Sequence, residues 1–173
     1  MSEDFTHRLP LGRIRGGERI DLIADQAECG AIARRLSLKS IDRLEAHAVL
    51  EREGDEVRAS GRIKSALTQY CVASGDPVPA RIDEPFQLRF VPEPSGRPDE
   101  ELELGAEELD VVFHDGAGIE LGAAIADTLA LALDPYPRGP NADDALKAAG
   151  VLSEEQAGPF AVLAKLKGDK PDA

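Results

Sequence analysis

Two runs of alternating apolar and polar residues, separated by a turn-rich link, constrain the fold of this chain most strongly. The first run spans residues 57–71 and the second spans residues 82–90. Because successive side chains of a strand point to opposite faces, period-two alternation bounded by glycine and proline predicts two half-buried strands. We expect them to be neighbours in one antiparallel sheet. The residues of the first run predicted to face inward are Val57, Ala59, Ile63, Leu67 and Cys71.

Other segments add strands and helices to this sheet. Residues 44–51 alternate and predict a hairpin with the first run, and residues 109–114 predict a fourth strand. Asp25 and Glu28 have the spacing of a capping box, which predicts a helix start near the N-terminus. In residues 119–133 an apolar residue recurs every four positions, which predicts a long buried helix.

Together these elements predict an α+β fold, with an antiparallel sheet of about four to six strands and the long helix packed on one face. Flanking N-terminal and C-terminal helices complete the expected architecture. The length of 173 residues is typical of one domain, which we place at residues 1–168, followed by a polar tail at 169–173. Residues 92–108 combine prolines, glycine and acids, a composition that predicts a mobile acidic loop.

The negative charge of the chain is concentrated in one region. The net charge is −13, and residues 92–127 hold eleven Asp and Glu against one Arg, a net of −10. Nucleic-acid affinity depends largely on Lys and Arg neutralising phosphates, so this balance argues against a general nucleic-acid binder. A basic partner such as a ribosomal protein suits the negative electrostatic field of the chain better than a nucleic acid does. The alternative is that the acids only keep the protein soluble.

The sequence also predicts the compartment. No apolar run approaches the ~20 residues of a membrane helix, and the N-terminal residues lack the features of a secretory signal. Two cysteines, Cys29 and Cys71, do not make a disulfide framework. We therefore expect a cytoplasmic protein with no membrane partner.

No residue pattern points to catalysis, a metal or a cofactor. Cys71 lies on the predicted inward face, which is typical of a buried structural thiol. His114 stands beside Asp115, but adjacent residues of a strand point to opposite faces. No histidine has the spacing of a metal site with another His or Cys. The enzymatic alternative is a small thiol enzyme or hydrolase that uses Cys71 or His114.

The polar face of the two runs carries several cations. They are Arg58, Arg62, Lys64, Arg81 and Arg89. Such a face could form a weak RNA platform. Acidic residues are interspersed with it, so the other interpretation is an ordinary solvated, salt-bridged face.

Three stretches of the chain resemble one family. The first is the Cys71 strand followed by the strand containing Phe86, Leu88 and Phe90. The second is the acidic loop followed by a Leu-rich helix that ends at Pro135-Tyr136-Pro137. The third is the ending Pro159-Phe160-Ala161-Val162-Leu163-Ala164-Lys165-Leu166-Lys167. Over residues 20–168 the chain resembles the YceD family of bacterial large ribosomal RNA subunit accumulation proteins, and Ala33-Arg34-Arg35-Leu36 resembles its alphaproteobacterial branch.

The resemblance implies a non-enzymatic ribosome biogenesis factor that supports accumulation of large-subunit (23S) rRNA, with no cofactor and no small-molecule substrate. Many relatives have Cys-x-x-Cys where the first strand ends, whereas this chain has Cys71 and Ser74, which removes the main reason to expect zinc or redox chemistry. The expected partner is a basic ribosomal protein or the large-subunit rRNA precursor, and a general interaction scaffold is the other alternative. The candidate partner-binding residues are Arg58, Arg62, Lys64, Arg89, Glu100, Glu101 and Glu103.

Overall fold

A computed structural model describes residues 5–94 and 110–151 of the chain. Within these residues 47% are in strands and 24% in helices. The strands are β1 (Arg8–Pro10), β2 (Glu18–Ile23), β3 (Ser40–Glu53), β4 (Glu56–Tyr70), β5 (Pro77–Pro92), β6 (Asp110–His114) and β7 (Gly118–Glu120). The helices are α1 (Gln26–Arg35), α2 (Leu121–Ala132) and α3 (Ala142–Ala148), with a 3₁₀ turn at Leu11–Arg13.

The chain divides into two compact units. The first unit comprises residues 1–69 and 79–135, and the second comprises residues 70–78 and 136–173. The first unit holds most of the two sheets together with α1 and α2, whereas the second holds the turn after β4 and helix α3.

A five-stranded sheet with the order β2-β3-β4-β5-β6 forms most of the first unit. Strands β2 and β3 pair antiparallel, as do β3 and β4, which form the predicted hairpin. Gly54 has a φ of 64° in the turn of this hairpin, a conformation that favours glycine. The alternation predicted for the first run is confirmed, because Val57, Ala59, Ile63 and Leu67 are buried while the cations between them are exposed.

The predicted architecture of a long helix on an antiparallel sheet is wrong. Strand β6 pairs parallel to β5, with Leu88 opposite Asp110, so the sheet is mixed. Helix α2 has only 12 residues, because residues 118–120 form β7 and pair with β1 instead of starting the helix. A Cβ on Gly118 would lie 2.7 Å from the carbonyl oxygen of Leu9, so glycine permits this close pairing. The predicted C-terminal helix lies outside the described residues.

Two strands differ from the sequence prediction in extent. Strand β5 already begins at Pro77, within the stretch predicted to be a turn. Its pairing with β6 covers only Leu88 to Pro92, so within the described residues one edge of its first part is unpaired and proline is tolerated there. Strand β2 was not predicted, because it is short and only Leu22 of its residues is buried.

Helix α1 begins as the sequence predicts. The Asp25 side chain accepts a hydrogen bond from the Glu28 backbone N–H, and the Glu28 side chain accepts one from the Asp25 N–H. This reciprocal capping box satisfies two N–H groups that the first helical turn leaves without partners.

The core lies between the sheet and the apolar side of α2. Leu44, Leu50, Ile63, Leu67 and Phe90 on the sheet are nearly inaccessible, as are three residues spaced by four on α2. Those three are Leu121, Ile125 and Leu129, which confirms the predicted stripe. Full burial of each such side chain contributes roughly 1.5–3 kcal/mol. No helix among residues 5–94 and 110–151 has both the length and the apolar character needed to cross a membrane.

Candidate partner-binding surfaces

The predicted cationic residues do share one face of the sheet. Arg58, Arg62 and Lys64 are exposed on the outer face of β4, and Arg89 is half-buried on the neighbouring β5. Their positions follow from alternation, since the residues between them on β4 point into the core. The structure therefore places these four predicted residues together on one face.

At one end of this face, two arginines share a single carboxylate. Glu56 accepts from Arg89 Nη2 at 2.8 Å and from Arg58 Nε at 3.0 Å. The hydrogen bond from Arg89, followed by that from Arg58, lowers the pKa of the Glu56 carboxyl. The same contact raises the pKa of Arg89. The Arg89 Nε is buried with no hydrogen-bond partner within the described residues. Arg58 and Arg89 are thus both engaged, and their shared carboxylate offsets one of their two positive charges.

Arg62 is paired as well. Its guanidinium donates from Nε to the carboxylate of Asp83 and from Nη2 to the backbone carbonyl of the same residue at 3.1 Å. Three of the four predicted cations are therefore held by carboxylates of the same face. Lys64 differs, because within residues 5–94 and 110–151 its side chain has no ion pair or hydrogen bond.

A cavity of about 370 Å³ lies beside Lys64. Its charged lining also includes Arg43 and Glu45 of β3, and Arg81 and Asp83 of β5. Arg43 was not among the predicted site residues, because β3 begins earlier than the alternating pattern at 44–51 indicated. The irregularity in pairing between Ile41 and Arg43 breaks the alternation there, so the pattern could not extend to Arg43.

The acidic region is only partly described. Glu100, Glu101 and Glu103 lie outside the described residues, as does most of the predicted loop. Among the described acids, Asp115 and Glu120 both accept hydrogen bonds from Arg8, at 2.7 Å and 2.6 Å. The contact with Arg8, aided by the backbone N–H groups of Ala117 and Gly118, lowers the pKa of Asp115 to about 2. These two carboxylates therefore help to hold β1 against β7 and the turn before it, and Arg8 offsets one of their two negative charges.

His114 has a structural role. Its ring is buried, and its Nδ1 accepts a hydrogen bond from the Gly116 backbone N–H at 3.1 Å. The proton must then lie on Nε2, which is 2.8 Å from the carbonyl oxygen of Asp55 and donates to it. Both ring nitrogens are thereby used in joining the β3–β4 turn to the end of β6. This arrangement leaves neither nitrogen for acid–base chemistry.

Cys71 lies in the second unit, in the turn that follows β4. Its side chain is buried, and its Sγ accepts from the backbone N–H groups of Gly139 at 3.3 Å and Ser74 at 3.4 Å. The hydrogen bond from Gly139, followed by those from Ser74, lowers the pKa of the Cys71 thiol from 9 to about 6. The prediction that Cys71 is buried is confirmed. Backbone N–H groups supply the stabilisation of the thiolate in this turn.

We expect the alkylation of Cys71 by iodoacetamide to be slow but to show a pH midpoint near 6. Burial limits access of the reagent, whereas the N–H groups favour the reactive thiolate. Cys29 provides an internal control, because burial raises the pKa of its thiol. Mass spectrometry of both cysteines in the native protein between pH 5 and 9 measures the two profiles. A midpoint near 9 for both cysteines would contradict the geometry of the turn.

The same shift makes folding stability depend on pH. Because the pKa of Cys71 is lower in the folded state, its stabilising contribution is complete above the unfolded value near 9 and is lost as pH falls through about 6. We expect the free energy of unfolding to rise between these limits in the original chain. In Cys71→Ala, the free energy of unfolding measured with urea should rise less over this pH range, because the contribution of the thiol is missing. An unchanged pH dependence would contradict the lowered pKa of Cys71.

Within residues 5–94 and 110–151, no group of three or more His, Cys, Asp or Glu side chains is placed to hold a metal ion. The described residues are mostly β and carry charged faces. These faces suit binding to other molecules.

Part of the chain matches a known protein family. Residues 59–167 match the family described as "Large ribosomal RNA subunit accumulation protein YceD". Comparisons with curated proteins and with solved structures give no match.

Because the match covers more than half of the chain, the protein belongs to the YceD family. The family's description implies a role in the accumulation of large-subunit ribosomal RNA.

Proposed function

We propose that the chain is a non-enzymatic, cytoplasmic ribosome biogenesis factor that acts by binding a basic protein of the large ribosomal subunit. The observation that supports this most is the segregation of charge. Residues 92–127 have a net charge of −10, whereas the rest of the chain has a net charge of only −3. A concentrated acidic segment speeds encounter with a cationic protein and disfavours anionic competitors.

Three arginines on the outer face of β4 and β5 are already in ion pairs, so a ribosomal protein is better supported as the partner than rRNA. Arg62 is engaged by Asp83, and Arg58 and Arg89 share Glu56, so two carboxylates offset two of these three positive charges and reduce their value for neutralising RNA phosphates. The enzymatic alternative has less support, because His114 uses both ring nitrogens in the fold and Cys71 is buried.

Charge reversal in the acidic segment should abolish the protein contact. We expect the triple variant Glu100→Lys, Glu101→Lys and Glu103→Lys to capture none of the basic proteins that the original chain retains from total large-subunit protein. Retention by the original chain should itself weaken steeply with salt, because exposed charges are screened over about 8 Å at physiological ionic strength. Immobilised chain, increasing salt and mass spectrometry of the bound fraction measure both effects.

A matched control separates location from net charge. The variant Asp42→Lys, Glu53→Lys and Glu84→Lys makes the same charge change at exposed acids outside the segment, none of which is in an ion pair within the described residues. It should retain the same proteins as the original chain. Equal loss in both variants would show that only overall charge matters and would remove the proposal.

The cellular role has its own measurement. After depletion of the protein, the ratio of large- to small-subunit rRNA should fall. The original chain and the control variant should restore the ratio, and the triple variant of Glu100, Glu101 and Glu103 should not. If the variant with Lys at positions 100, 101 and 103 restores the ratio, the acidic contact is not needed for rRNA accumulation.

A further inference from the structure

The cavity on the outer face of the sheet has an unbalanced charge. It spans three neighbouring strands, β3, β4 and β5, and has a volume of about 370 Å³. Arg43, Lys64 and Arg81 line it, one from each strand, together with two carboxylates. Three cations on adjacent strands converge here because all three lie on the outer side of the sheet.

Both carboxylates of the cavity are already engaged. Glu45, which is largely buried, accepts from Arg43 Nε at 3.1 Å and from Arg43 Nη2 at 2.5 Å. Asp83 accepts from Arg62. Each carboxylate is thus neutralised by an arginine next to it, and neither remains to pair with the other cations of the cavity.

Lys64 and Arg81 therefore form a local excess of positive charge. In the described part of the chain neither side chain has an ion pair or a hydrogen bond. Lys64 lies directly opposite Glu45 across the β3–β4 pair, yet the Glu45 carboxylate is bonded to Arg43 instead. Two exposed, unpaired cations thus face one cavity in a protein whose net charge is −13.

We propose that this cavity binds a phosphate group, with Lys64 and Arg81 as its cationic contacts. Free phosphate carries between one and two negative charges and a backbone phosphodiester carries one, so either is attracted to the two unpaired cations, and its oxygens can accept from donors on two strands at once. The negative charge elsewhere on the chain is compatible with this, since charges beyond ~8 Å are largely screened at physiological salt. The phosphate can come from an RNA backbone or from free phosphate.

This site is separate from the acidic segment proposed to bind a ribosomal protein. None of its residues lies between 92 and 127. The two proposals therefore fail independently: loss of the ribosomal-protein contact leaves the phosphate site untouched, and the reverse also holds.

Removal of both cations should weaken phosphate binding. We expect Lys64→Gln with Arg81→Gln to lower the affinity of the full chain for a short fluorescein-labelled single-stranded RNA about tenfold, measured by anisotropy at ~50 mM salt. The slope of log affinity against log salt should decrease by about 1.4, since each lost contact to a single strand contributes about 0.7. The melting temperature should be unchanged, because both side chains are exposed and unpaired.

The matched control is Arg13→Gln with Arg15→Gln. It removes the same two positive charges from exposed arginines that do not line the cavity. This pair should change RNA affinity less than twofold. If both pairs lower the affinity equally, or if the original chain binds neither RNA nor inorganic phosphate, the proposal is overturned.

Inorganic phosphate distinguishes the two sources. If it displaces the RNA from the original chain, and phosphorus NMR detects its binding to that chain but not to Lys64→Gln/Arg81→Gln, the cavity accepts free phosphate. If only the RNA responds to the substitutions, the cavity binds backbone phosphate. Either result supports a phosphate site.

Discussion

Gly61→Ala is expected to destabilise the protein by about 4 kcal/mol or more, a loss among the largest that single substitutions cause. Gly61 lies in β4 opposite Ala48 of β3. An added Cβ would lie 1.8 Å from the carbonyl oxygen of His47, 2.9 Å from its carbonyl carbon and 3.0 Å from the Ala48 Cα. All three are backbone atoms, and the hairpin pairing on both sides prevents β3 from moving away. Urea unfolding followed by circular dichroism measures the loss.

Gly12→Ala is the control for this substitution. Its added Cβ would meet no atom within 4 Å. Its free energy of unfolding should stay within about 0.5 kcal/mol of that of the original chain, as is usual for substitutions away from special contacts. A Gly61→Ala protein as stable as Gly12→Ala would mean that β3 and β4 pair differently around these residues.

Phe90→Ala is expected to lower the free energy of unfolding by about 3–5 kcal/mol. Among residues 5–94 and 110–151, Phe90 is the largest fully buried side chain, and it lies on β5 between β4 and β6. Its removal loses apolar burial and leaves a cavity, because the closely packed interior around it relaxes only partially. Thermal and urea unfolding measure the change.

Phe113→Ala makes the same chemical change on the adjacent strand. Phe113 is 51% exposed on β6, so its removal creates no internal cavity. We expect a loss below about 1 kcal/mol, since little apolar surface returns to water. Similar losses for the two variants would contradict the assignment of the buried and exposed faces at this edge of the sheet.

Several parts of the fold could be predicted because their determinants are local in sequence. The alternation in residues 57–71 identified β4 and its buried face, since strand geometry sends successive side chains to opposite sides. Asp25 and Glu28 identified the start of α1, because a capping box needs only a fixed spacing. The four-residue spacing of Leu121, Ile125 and Leu129 likewise identified the buried side of α2.

Strand direction and strand length depended on distant residues. The pattern at 109–114 indicated a strand but not whether it would pair parallel or antiparallel, because both arrangements bury the same side chains. Helix α2 is shorter than its apolar pattern because the Gly118 segment pairs with Leu9, more than 100 positions earlier in the chain. Local periodicity contains no information about such a partner.

For the candidate surfaces, the sequence by itself determined which cations share a face and that negative charge is concentrated in residues 92–127. Only the tertiary structure decided which charges are free. Glu56 reaches Arg89 because β4 and β5 are neighbours, while Arg43, engaged with Glu45, leaves Lys64 unpaired beside Arg81. Side-chain periodicity assigns a residue to a face, whereas an ion pair forms only where strand register brings two charged atoms within contact distance.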